Sequence, residues 1–319
     1  MSKYKQQPID FAGLKTISVF SRGGKVRVED FARTYEKGGG LKSLVDSMPA
    51  ILAGDSFRAV VDRILEAKAK GKPVLWGYGG HVIKCGMAPI LLDLARRGLG
   101  HGFSTNGSGS IHDFEIGIAG WTSEDVEAVL PDGTFGSAEE TGRWMNEAIS
   151  EGSAGGLGMG EALGHKLERC GKPEFASKCI LVSAYRSSIP VTVHVAVGTD
   201  TPHTHPAAVG AAIGASTYQD FRLFCSMVKE LNGGGAYINL GSAVVMPEVF
   251  LKAVSSVRNL GHELKNFTTV NLDFIQHYRP KVNVVDRPHA GSGGKGYSLT
   301  GHHEIMIPLL AAALIEQCD

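Results

Sequence analysis

The chain lacks any apolar run approaching the ~20 residues that cross a bilayer, and the stretch from Met1 to Ala12 is polar, without the apolar core of a secretory signal. A cytoplasmic location and no membrane partner are the expectation. Charge of one sign is also missing. The 32 basic residues balance 32 acidic ones, with no basic stripe and no charged tail, so a nucleic-acid partner is not expected. Cysteine is sparse: Cys85, Cys170, Cys179, Cys225 and Cys318 are scattered and odd in number, with no Cys-x-x-Cys pair and no disulfide spacing. No Gly-x-Ser-x-Gly elbow occurs, which makes Ser-His-Asp chemistry a weak reading. There is no internal repeat, and no linker divides the chain between Lys70 and Asp319. The expectation is one α/β domain over 1–319, with an irregular leader or arm over 1–50 and a core over 70–319.

Glycine is what the sequence has in excess. Forty-two of 319 residues are glycine, well above the usual ~7%, and they cluster where strands turn into loops. Pro73-Val74-Leu75-Trp76 reads as a short buried strand. It runs into Gly77-Tyr78-Gly79-Gly80-His81 and then a helical stretch from Lys84 to Arg97. Leu99–Ser104, Val191–Val197, Tyr237–Leu240, Phe267–Leu272 and Val282–Val285 read as further strands. Helices are expected from Ser56 to Lys70, after the capping-box spacing at Ser137–Glu140, after the glycines at 155–160, over Thr217–Leu231, from Pro247 to Asn259 and over Pro308–Gln317. Strands alternating with helices predict a doubly wound, mostly parallel, Rossmann-like sheet with helices on both faces.

Ligands of such sheets bind beyond the carboxyl ends of the strands. Gly79 and Gly80 can bring backbone N–H groups to a phosphate, or simply make a tight turn. In Gly198–Pro206, Asp200 can accept hydrogen bonds from ribose hydroxyls. Alternatively Asp200, His203 and His205, with His194, offer metal ligands; histidines in a rigid surface loop are the bland alternative. Lys295, amid the glycines of 286–296, can contact a phosphate or act as an amine nucleophile, or be a solvated lysine in a mobile loop. Gly301-His302-His303-Glu304 offers further ligand types.

Several motifs in this order resemble the deoxyhypusine synthase family. Gly79-Gly80 followed by Ile83-Lys84-Cys85 resembles the family's glycine pair and Ile-Lys-Cys. Ile189-Pro190-Val191 leading to Thr199-Asp200 resembles its strand into a Thr-Asp pair. Leu240-Gly241-Ser242-Ala243-Val244-Val245 resembles its glycine-rich strand end. Asn271, the Lys295 segment and Ile307-Pro308-Leu309-Leu310 follow in the family's order. The resemblance implies a Rossmann-like fold, NAD as cofactor, a homo-oligomer (dimer or tetramer) and a transferase or oxidoreductase acting on a small molecule. On this reading Gly79, Gly80, Asn106, Asp200, Gly241, Ser242 and Asn271 lie at the cofactor, His203 is a candidate general base because an imidazole titrates near neutrality, and Lys295 is a candidate nucleophile or clamp. The chain departs from the family at Met246-Pro247, where the family has Lys-His, and around Lys295, where the family's acidic and tryptophan context is absent. The family's acidic, aromatic polyamine pocket is not traceable in the sequence. No resident metal is expected on this reading. A metal-dependent hydrolase using Asp200, His203 and His205, and a non-catalytic nucleotide-binding subunit, are the alternatives.

Overall fold

The computed structural model describes residues 2–318; Met1 and Asp319 lie outside them. After a short irregular stretch come α1 (Gly40–Ser47), α2 (Leu52–Ala69), β1 (Val74–Tyr78), α3 (Gly80–Lys84), α4 (Ala88–Arg96), β2 (Gly102–Asn106) and α5 (Gly107–Ala119). They are followed by α6 (Val126–Val129), α7 (Glu139–Ala154), α8 (Met159–Cys170), α9 (Ile180–Arg186) and β3 (Val191–His194). The last third holds α10 (Gly210–Lys229), β4 (Ala236–Leu240), α11 (Val245–Asn259), β5 (Thr268–Asp273), α12 (Tyr278–Pro280, continued by a π-helix to Asp286), β6 (Lys295–Thr300) and α13 (His303–Glu316).

The six strands are all parallel, in the order β3-β2-β1-β4-β5-β6. Every residue of β1, β3, β4 and β5 is buried, as expected for strands covered on both faces. Alternation sorts their side chains. Val74, Trp76, Ile238 and Val270 enter one apolar cluster, with helices α2, α4, α9 and α13. Leu75 and Tyr237 enter the other, under α10 and α11, where Tyr237 stacks on Phe250 at 4.0 Å. The chain runs outward from β1 to β3, crosses back through α10, and runs outward again from β4 to β6. The reversal lies between β1 and β4, which is where a crevice opens in doubly wound sheets.

Two buried carboxylates fasten helices to the sheet. Asp220 on α10 accepts from the N–H of Gly160 at 2.9 Å and of Val193 at 2.8 Å, tying α8 and β3 together. Burial pushes its carboxyl up to about 7 despite those donors. Asp113 on α5 accepts from the N–H of Ile180 and Leu181 at the start of α9, and burial raises it to about 6.

The structure shifts several expected elements. Val282–Val285 is helical, part of the turn after Pro280, because a short valine-rich stretch, here interrupted by Asn283, does not by itself distinguish strand from helix. The sixth strand is instead Lys295–Thr300, within and beyond the glycine segment. A Cβ on Gly294 would lie 2.2 Å from the Phe267 carbonyl oxygen, and one on Gly296 2.1 Å from that of Val285. These glycines let β6 press on its neighbours. The second strand begins at Gly102 rather than Leu99, and the third ends at His194 rather than Val197. Ser56 lies inside α2, which begins at Leu52, and α7 starts from Ala138 without a side-chain cap. The helical stretch after the first glycine loop is broken in two at Gly86, with φ +73°. Residues 2–38 hold one 3-10 turn (Val28–Asp30) and carry exposed Ile9, Phe11, Ile17 and Phe20. Among the described residues, no helix is long and apolar enough to cross a membrane.

Candidate functional site

The carboxyl ends of β1, β2 and β4 meet through glycines. A Cβ on Gly79 would lie 2.9 Å from the Gly241 carbonyl oxygen, so the turns after β1 and β4 touch across the reversal. A Cβ on Gly80 would lie 2.3 Å from Ser108 Oγ and 3.1 Å from His112, so the start of α3 rests on the first turn of α5. Asn106 ends β2 and caps α5, its Oδ1 accepting from Gly109 N–H at 2.9 Å. Gly107 admits the carboxylate of Asp200, since a Cβ there would fall 1.9 Å from Oδ2.

Asp200 is the unsatisfied member of this group. It is buried, its Oδ1 lies 3.3 Å from a Thr199 hydroxyl that donates to the Ala196 carbonyl at 2.8 Å, and its Oδ2 has no hydrogen-bond partner among the described residues. Burial pushes its carboxyl upward against the pull of His203, whose Nε2 lies 4.0 Å from Oδ2. A buried carboxylate oxygen left without a donor is costly, and Asp200 forms part of the wall of a cavity of about 750 Å³. That volume is in the range of cofactor and small-molecule sites. The cavity lies between α5, α7 and the segment 121–138. Its walls combine Glu115, Glu124 and Glu140 with Trp121, Phe135 and Trp144. Lys84 and Lys172 also line it, so acidic, basic and aromatic side chains share the walls.

A side-chain relay crosses one wall. Thr122 Oγ1 donates to Glu115 Oε2, and Thr141 Oγ1 donates to Glu115 Oε1 at 3.2 Å. The Thr122 hydroxyl has a single proton, so it must accept from His112 Nδ1, which lies 2.7 Å away. This fixes the His112 tautomer with its proton on Nδ1 and a lone pair on Nε2. Burial, helped by Lys84, lowers His112 to about 4 and keeps it neutral. Sequence reading missed this group. Its signal was the spacing of Ser108, His112 and Glu115, which share one face of a helix opened by Asn106-Gly107.

Of the residues singled out in the sequence, Gly79, Gly80, Asn106, Asp200 and Gly241 gather at the carboxyl edge. Ser242 and Asn271 lie there too but are internally engaged. Ser242 Oγ accepts from Met246 N–H at 3.2 Å. Asn239 Nδ2 donates to Asn271 Oδ1 at 2.7 Å, and Asn271 Nδ2 to Gln276 Oε1 at 2.8 Å. His203 lies beside Asp200, and its Nδ1 accepts from Gly198 N–H at 3.4 Å. Lys295 does not join them. It begins β6 in register with Thr268, the first residue of β5, at the opposite edge of the sheet, with Nζ 4.8 Å from the Tyr297 ring.

The metal set Asp200, His203 and His205 is not assembled either. His203 lies within a 3-10 turn over Thr201–Thr204 beside Asp200, whereas His205 follows that turn with Nε2 3.1 Å from Glu139 Oε2. His194 is directed into the core, with Thr192 Oγ1 at 3.0 Å and Phe224 against its ring. Among the described residues, the set with mutually close ligating atoms is His81, Cys85 and Glu304.

No protein-family model and no curated protein sequence matches the chain. Solved structures do. A candidate deoxyhypusine synthase from Entamoeba histolytica is similar with TM-score 0.54 at 12% identity, over 90% of this chain and 98% of that one. A conserved candidate LOR/SDH protein from Methanococcus maripaludis S2 is similar with TM-score 0.50 at 13% identity, over 88% and 71%. AgrE, in a ternary complex with ornithine and NAD+, is similar with TM-score 0.50 at 14% identity, over 83% of this chain but 34% of its own. At these identities the likeness is one of fold. It agrees with the distant resemblance to deoxyhypusine synthases carried by the motifs.

Proposed function

We propose that the protein is an enzyme that binds NAD or a closely related nucleotide at the β1–β2–β3 side of the carboxyl edge and acts on a small amine in the adjoining cavity. The observation that carries this reading is Asp200: a buried carboxylate with a partnerless oxygen, seated on Gly107 in a cavity wall. Ribose hydroxyls would supply the missing donor, as they do to acidic residues of dinucleotide sites. Gly79 and Gly80 let the turn after β1 close on Gly241 and on the first turn of α5, a thirteen-residue helix whose dipole favours an anion. AgrE, which shares the fold, was solved with NAD+ and ornithine.

The bound nicotinamide would supply a hydride acceptor. The chain's own residues do the rest. Glu115, Glu124 and Glu140 favour a cation, and Trp121 and Trp144 offer faces to it. His112 presents Nε2 as an acceptor for a substrate N–H, held in place by Thr122 and Glu115. His203, whose Nδ1 accepts from Gly198 N–H, turns its Nε2–H toward Asp200. Lys295 has no part in this arrangement. Association of copies also belongs to the reading, with the exposed apolar residues of 2–38 as the contacting segment. Light scattering of a chain lacking that segment tests it, and an unchanged mass would remove the arm from the interface.

The cofactor is tested by calorimetric titration of the purified chain with NAD and by mass spectrometry of nucleotide released on denaturation. One NAD per chain is expected, with affinity reduced tenfold to a hundredfold in Asp200→Asn, about 1.4–2.7 kcal/mol. No released nucleotide and no binding at millimolar NAD would overturn the reading.

A further inference from the structure

His81 and Cys85 are four residues apart on α3 and its C-cap, joined by the helical bond from Cys85 N–H to the His81 carbonyl. This spacing puts both side chains on one face. The fold brings the first turn of α13 against that face. His81 Nε2 lies 3.3 Å from Cys85 Sγ, Cys85 Sγ lies 3.8 Å from Glu304 Oε2, and all three ligating atoms fall within 4.8 Å of one another. Ligands of a tetrahedral zinc ion, with bonds of about 2.0–2.3 Å, stand roughly 3.3–3.8 Å apart. The set thus already has nearly the spacing that such an ion demands. It combines one neutral nitrogen with a thiol and a carboxylate, whose two negative charges on binding match a divalent cation. Imidazole, thiolate and carboxylate together suit zinc rather than magnesium or calcium.

A second observation lies directly behind the three. His303, next to Glu304, is fully buried, and neither of its ring nitrogens has a hydrogen-bond partner among the described residues. Its ring meets that of His81 edge-on at 5.5 Å, and its Nε2 is 3.8 Å from Asp273 Oδ1. Only a glycine at 241, with φ +62°, leaves it room, since a Cβ there would come within 2.6 Å of the ring. Phe274 covers the group, 6.0 Å from both the His81 and His303 rings. A fully buried imidazole with only the longer Asp273 contact and no hydrogen bond of its own, beside three convergent ligand atoms, points to a missing donor or ion at that place.

We propose that His81, Cys85 and Glu304 form a three-ligand site for a divalent transition metal of the zinc class at the β1–β4 crevice. Three protein ligands leave a tetrahedral ion its fourth position for water or a substrate oxygen, the pattern of catalytic rather than structural zinc. His303 acts as a positioning residue, able to pair with a water held in that position. The site shares no residue with Asp200's surroundings, and its occupation does not require a nucleotide.

The full chain is stripped with a chelator and titrated with cobalt(II), followed by absorption. One equivalent should bind, with a thiolate-to-cobalt charge-transfer band and the intense visible bands of a tetrahedral ion. Cys85→Ser should abolish the charge-transfer band, while Cys225→Ser retains it. His81→Ala and Glu304→Gln should each weaken cobalt binding at least tenfold, and zinc should displace cobalt. Circular dichroism checks each variant. Should Cys85→Ser fail to fold, the substitutions at exposed His81 and Glu304 decide. Absence of a charge-transfer band, or the same band and affinity in Cys85→Ser or in the His81 and Glu304 variants, would overturn the assignment.

Discussion

The two halves of the sheet's carboxyl edge use polar residues in different ways. Beyond β4 and β5 the side-chain amides bond chiefly to one another, leaving Asn239 Oδ1 and both His303 ring nitrogens unmatched. Asn239 donates to Asn271 and to the Ser242 carbonyl, Asn271 donates to Gln276, and Gln276 donates to the Leu299 carbonyl. Beyond β2 and β3 the Asp200 carboxylate is buried with one oxygen unmatched, beside a cavity. Both halves are rich in residues that a sequence reader would offer to a cofactor. The density of polar residues therefore does not locate a binding site. On the proposed reading, an unmet hydrogen-bonding valence in a cavity wall is the better guide.

The comparison breaks if the β4–β5 half binds the nucleotide. Asn239→Ala is expected to cost about 2–4 kcal/mol of unfolding free energy, because it opens a buried ladder between two strands. NAD affinity of the folded protein should stay within twofold. Urea unfolding paired with calorimetry reads both, and a large affinity loss would merge the two halves into one site.

Proton linkage sharpens the contrast. Burial lowers His194 to about 3. A folded pKa below the ordinary 6.5 gives stability that is present above pH 6.5 and lost as pH falls toward 3. Asp113 and Asp220, raised to about 6 and about 7, act in the opposite sense. Their stabilisation is complete below about pH 4 and lost as pH rises through 6 and 7. Replacing His194 with Gln should therefore flatten the acid limb of stability by roughly 2–3 kcal/mol between pH 6.5 and 4.5. Urea midpoints across that range check it, and an unchanged limb would show that His194 is not held neutral.

Smaller effects are expected at the cavity. His112→Gln should weaken amine binding about tenfold, roughly 1.4 kcal/mol, while NAD affinity and thermal midpoint hold. Equal loss of NAD would place His112 at the nucleotide instead. Trp121→Ala should weaken the same amine only a few-fold, since an exposed cation–π contact is worth about 0.5–1 kcal/mol. Competition against a fluorescent amine orders the two variants, and the reverse order would relocate the cationic group.

Much of the sheet was legible. The strands β1, β3, β4 and β5 are short apolar or β-branched runs because both faces are covered, and their order with the helices predicts the doubly wound fold. β6 was not legible, since Lys295, Ser298 and Thr300 are exposed and interrupt the apolar run. Asp200 was readable from its place after a strand. The partners of His112 were not, because Thr122 reaches it only through the left-handed turn at Gly120, φ +85°. The cluster of His81, Cys85 and Glu304 joins residues more than 200 positions apart. Neither spacing nor composition connects them until α13 folds back beside α3.

The long crossover from β2 to β3 has a consequence for how such a protein can diversify. The sheet supplies the glycine turns and the edge on which a nucleotide would rest, whereas the crossover segment 121–138 makes no strand and supplies Trp121, Thr122, Glu124 and Phe135 to the cavity. If the cavity is the substrate site proposed above, selectivity and foldability are carried by different stretches of chain. Substitutions in 121–138 can retune which small molecule is accepted while the β1–β4 reversal keeps its shape, so sequences sharing the sheet motifs need not share a substrate.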